Sequence, residues 1–67
     1  MKKEILSTLN QLFEANILKH KTNVEIMLTN PMAIHDHTNL IEGIEKEISC
    51  MAEYMDKLEV MKQYFNE

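Results

Sequence analysis

The chain has 67 residues, room for a single domain over 1–67, and its 45% apolar content is too high for ordinary disorder yet supports only a modest core. The formal net charge is −4 and arginine is absent, so the basic, arginine-rich patch of a nucleic-acid binder is missing. Cys50 is the only cysteine, which excludes an intrachain disulfide and fits a reducing, cytoplasmic setting.

Residues 3–29 are predicted to form the first helix. Leu6, Asn10, Phe13, Ile17, His20, Val24 and Met27 recur at spacings of three and four, and Ile5, Leu9, Leu12 and Leu28 broaden the stripe. No glycine or proline interrupts it. Asn30-Pro31 ends it, because proline lacks an amide hydrogen, clashes with the preceding turn and disfavours a helical residue before it. The start, Met1-Lys2-Lys3-Glu4, is followed by Ser7, Thr8, Asn10 and Gln11, which break any signal-peptide core. No stretch approaches the ~20 apolar residues of a membrane span, so no membrane association is expected.

Residues 31–38 connect the helices, a length that fits antiparallel neighbours, with Met32, Ala33 and Ile34 expected to tuck over the end of the hairpin. Asn39 is the expected N-cap of the second helix, with Glu42 reaching back to its amide and Thr38 as the other capping candidate.

The second helix is predicted from about Leu40 to Phe65, the hairpin thus comprising about 3–29 and 39–65. Ile41, Ile44, Ile48, Met51, Met55 and Leu58 are spaced 3, 4, 3, 4, 3, and the series continues through Lys62 to Phe65. This seven-residue repeat is the spacing of knobs-into-holes packing. Leu40, Ala52, Tyr54 and Met61 flank the seam so drawn, while Glu42, Lys46, Glu53 and Lys57 lie outside it. The fold class expected is therefore all-α, an antiparallel two-helix hairpin. A two-helix rod leaves each seam residue open on one flank, and its apolar residues outnumber one seam. Self-association into a four-helix bundle or a coiled-coil-like dimer is expected, a dimer being favoured, or docking on a different protein.

No residue is assigned a catalytic, cofactor-binding or metal-binding role. His35, Asp36 and His37 are the only compact ligand cluster, but two imidazoles fall short of the four ligands of a structural zinc site. They read as loop residues, with Asn30, Pro31 and Asn39, that bond loop amides or the first turn of the second helix. His20 on the apolar stripe reads as a satisfied boundary histidine that pairs with a glutamate of the second helix. Asn10 and Asn16 near the same face are register-setting candidates. Glu45 and Glu59 are expected to pair with Lys19 or Lys21 across the helices. No Glu-x-x-His motif, phosphate loop, calcium loop or paired-cysteine motif occurs, and Cys50 has no activating histidine in its local pattern. An enzyme is not expected.

The stretch Leu28-Thr29-Asn30-Pro31-Met32-Ala33-Ile34-His35-Asp36-His37, followed by the acidic helix to Phe65, resembles small helical proteins of large tailed bacteriophages over residues 23–65. In that pattern an Asn-Pro turn precedes a glycine-containing loop, a histidine and a capped acidic helix. Ala33 and His35 stand where glycines are expected. Those proteins have no assigned activity, so the resemblance implies only a viral accessory or host-interaction role, in the host cytoplasm, and transfers no site residues.

The functional expectation is a non-enzymatic interaction module, an adaptor, regulator or inhibitor acting through an apolar helical face. That face comprises Phe13, Ile17, His20, Val24 and Met27 of the first helix and Ile41, Ile44, Ile48, Met51, Met55, Leu58 and Phe65 of the second. The alternative is a small structural homo-oligomer within a larger assembly.

Overall fold

The computed structural model describes residues 1–29 and 37–66, and for His37 and Thr38 the backbone alone. Two helices of 28 residues each, α1 (Lys2–Thr29) and α2 (His37–Tyr64), lie antiparallel as a helical hairpin. The molecule is a rod of 48 × 16 × 12 Å, the length expected of helices rising 1.5 Å per residue.

The helix α1 ends at Thr29, directly before Asn30-Pro31, and the Thr29 hydroxyl donates to the Glu25 carbonyl at 2.9 Å. The helix α2 starts three residues earlier than the capping pattern implies. His37 and Thr38 are already helical, so Asn39 is the third residue of α2 and exposed, not its N-cap. The capping-box pattern misplaces the start because neither His37 nor Thr38 opposes helical backbone strongly enough to stop it. The readings placed on Asn30, Pro31, Met32, Ala33, Ile34, His35 and Asp36 lie outside the described residues.

On α1 the side turned to α2 matches the periodicity: Leu6, Asn10, Phe13, Ile17, His20, Val24 and Met27 are all half-buried, joined by Leu9, Asn16 and Asn23. On α2 the heptad survives but its phase shifts. The half-buried and buried residues are Leu40, Gly43, Ile44, Glu47, Cys50, Met51, Tyr54, Leu58 and Met61. Ile44, Met51 and Leu58 belong to the seam as expected. Ile41, Ile48 and Met55, expected beside them, are 68%, 52% and 57% exposed, and Lys62 and Phe65 also lie outside. Leu40, Glu47, Tyr54 and Met61 occupy their places, so α2 is turned by about half a residue step, roughly 50°. Among the described residues Met61 alone is fully buried, at 7% exposure.

Gly43 marks a close approach of the helices. A side chain there would run into the terminal methyl of Met27. That methyl ends a flexible chain and can swing aside, whereas glycine within a helix costs about 1 kcal/mol relative to alanine. Gly43→Ala is therefore expected to stabilise the hairpin by about 0.5 kcal/mol and Gly43→Leu to destabilise it. Thermal unfolding followed by circular dichroism checks both. A lower midpoint for Gly43→Ala would show that Met27 is held in place.

Candidate interaction surface

The phase of α2 is explained by the polar residues that α1 brings to the seam. His20 and Asn23 stand one helical turn apart and both meet Glu47. The Nδ1–H of His20 donates to Glu47 Oε2, and the Asn23 amide donates to Glu47 Oε1 at 3.2 Å. The His20 and Glu47 side chains are 13% and 23% exposed. Had Ile48 stood there, both donors would have faced an aliphatic chain with no partner, at a cost of about 1–3 kcal/mol for each buried unsatisfied group. The hydrogen bond from His20, reinforced by that from Asn23 and by the charges of His20 and Lys19, holds the Glu47 carboxyl below the usual carboxylate range against the opposing effect of burial. Glu47 is thus an anion at neutral pH and accepts on both oxygens.

Tyr54, one heptad after Glu47, inserts between Phe13 and His20. Its ring centroid is 6.1 Å from each, stacked on the imidazole at 18° and tilted at 38° to Phe13. The ammonium of Lys57 lies over the Tyr54 ring at 4.6 Å and over Phe13 at 5.8 Å, and it also approaches Glu53 at 3.8 Å. One side of the seam is therefore closed by a cation over aromatic faces.

Sequence reasoning placed His20 correctly against a glutamate of the second helix. It overlooked Asn23 and named Asn10 and Asn16 instead; Asn10 is half-buried on the seam side, and the Asn16 amide folds back on the Leu12 carbonyl at 2.9 Å within α1. Among the described residues the ion pair that crosses between the helices is His20–Glu47; Glu45 and Glu59 point to solvent. Asn23 was detectable, since it follows His20 by three residues on the same face. Cys50 is half-buried on the side of α2 turned to α1. Among the described residues no group of three metal-ligating side chains gathers, and no helix is long and apolar enough to cross a membrane.

Ile41, Ile48 and Met55 now form an exposed stripe along α2, one residue per heptad, edged by Ile44, Met51 and Leu58. In an antiparallel pair of right-handed helices, the residues one step past the seam on each helix lie on the same side. The same side of α1 carries Ser7, Glu14, Lys21 and Leu28. The groove of about 470 Å³ between the start of α1 and the end of α2 fits this assignment, with Ser7, Gln11 and Glu14 lining it beside Lys62 and Phe65. The opposite side of α1 exposes Ile5, Leu12 and Ile26, but Lys19 interrupts that row and Lys57 covers the seam beside it. No protein-family description, curated protein or solved structure matches the chain.

Proposed function

We propose that this hairpin is a non-enzymatic protein–protein interaction module that acts through the Ile41–Ile48–Met55 face of α2. The observation that carries the reading is the stripe itself. Its three large apolar side chains are left more than half exposed, because the seam has taken Glu47 and Tyr54 in preference to Ile48 and Met55. Contiguous apolar surface edged by charge is the mark of a docking site. The adaptor, regulator or inhibitor role expected of an apolar helical face would use this stripe. So would the second reading, a structural homo-oligomer within a larger assembly.

A photo-reactive amino acid at position 48, expressed in the native cell, tests the proposal. It is expected to give a discrete adduct, while the same group at Asp56, exposed and away from the stripe, gives none. An adduct with another protein supports the adaptor role and one with a second copy supports the homo-oligomer. No adduct at position 48 under conditions where the chain is folded would overturn both.

A further inference from the structure

We infer that the occupant of this face is a second copy of the chain, packed antiparallel about a two-fold axis that passes through Ile48. The inference rests on the reading of the stripe as a docking surface, and three observations identify the partner.

The first is area. The chain exposes 5451 Å², whereas a compact monomer of 7.9 kDa exposes roughly 4400 Å². The surplus of about 1000 Å² exceeds the roughly 800 Å² that each partner contributes to a standard stable interface. A hairpin with one fully buried described residue is short of core by about one interface.

The second is self-complementarity. Ile41 and Met55 are each seven residues from Ile48. A two-fold axis at Ile48 sets Ile48 against its own copy and Ile41 against Met55 of the other chain, apolar on apolar throughout. Ala52, one turn further on, has little bulk beside the axis and lets the helices approach. An isologous contact needs this kind of symmetry about its centre.

The third is charge, which chooses between two bundle arrangements. Pairing of His20 with Glu47 puts Ile48 at the level of Lys19 in α1. With the axis perpendicular to the helices, α1 meets α1 of the other copy. Leu18, 60% exposed, then lies near the axis, and Glu14 comes within about 4.5 Å along the helix of the other chain's Lys21, a gap both side chains span. With the axis parallel to the helices, Lys21 and Glu14 would instead press on Ile48 and Met55, desolvating charge against aliphatic surface. The perpendicular axis satisfies both sets of residues.

The test is solution mass by light scattering over a dilution series, with three cysteine variants to read orientation. The native chain is expected to have the mass of two chains. Ile48→Asp is expected to weaken the dimer on the order of 100-fold, since it places an unpaired carboxylate at the axis. Leu12→Asp, on the other side, is expected to leave the mass unchanged. On a Cys50→Ser background, Ile48→Cys should cross-link to itself under mild oxidation. Ile41→Cys should cross-link with Met55→Cys when the two are mixed, and not to itself. The cross-links decide the matter even where Ile48→Asp loses its helicity. A monomer at every concentration would overturn the inference and leave the interaction face to the photo-cross-linking test. A dimer that cross-links Ile41→Cys to itself, or that dissociates with Leu12→Asp and not with Ile48→Asp, would also overturn it.

Discussion

Met61→Ala is expected to cost about 2–3 kcal/mol of stability. Met61 is 7% exposed and sits where the end of α2 closes on Leu6 and Asn10 near the start of α1. Truncation to alanine removes about three heavy atoms' worth of transfer free energy and leaves a void that two rigid helices cannot collapse to fill. A domain of this length has only a few kcal/mol to lose. The variant should therefore show a large drop in midpoint, or lose much of its helical signal at 25 °C. Lys62→Ala is the control, exposed and next in sequence, and is expected within about 0.5 kcal/mol of the native chain. Urea unfolding monitored at 222 nm measures both. The pattern drawn from aliphatic residues alone puts position 62 in the seam and so predicts the reverse order.

The second large effect belongs to Glu47. Glu47→Ala leaves the His20 Nδ1–H and the Asn23 amide without their acceptor in a half-buried seam and is expected to cost about 1–3 kcal/mol. Replacing His20, Asn23 and Glu47 together by leucine should recover most of that loss, because no donor is then left without an acceptor and a well-packed apolar cluster substitutes well for a buried ionic one. The same residue sets a pH dependence. The folded state holds the Glu47 carboxyl below its ordinary value, so near pH 4 the unfolded chain binds more protons than the folded one. Stability then rises with pH. The contribution is complete above the unfolded carboxylate range, about 4.3, and is lost as pH falls through the lower folded value. Glu47→Gln should accordingly be less stable than the native chain above about pH 4.5 and converge with it in acid. Parallel stability curves at all pH values would mean that the pair contributes no proton linkage.

Much of this fold was legible in the sequence. The 3-4 spacing from Leu6 to Met27, the break at Asn30-Pro31 and the heptad of α2 give two helices and their antiparallel pairing with few alternatives. What the pattern misjudged was the rotation of α2, and the reason is physical. Apolarity favours Ile48 and Met55 over Glu47 and Tyr54 when α2 is considered alone. The decision belongs to α1, whose His20 and Asn23 require an acceptor and whose Phe13 and His20 leave a gap that an aromatic ring fills. A polar pair thus sets the register of an otherwise apolar seam, and its consequence is the uncovered Ile41–Ile48–Met55 row. The start of α2 was misjudged by three residues for a smaller reason. Asn39 and Glu42 have the spacing of a capping box, but the same residue types are tolerated inside a first helical turn.

The rotation of α2 decides which apolar residues remain available to a partner, so the measurement to make is the pattern of nuclear Overhauser contacts from the aromatic rings of α1. The Tyr54 ring is expected to show contacts to both Phe13 and His20, with the methyl groups of Ile48 and Met55 showing none to either. Contacts from Ile48 or Met55 to Phe13 and His20, with Tyr54 silent, would place α2 in the other phase and remove the exposed stripe on which the proposed function rests.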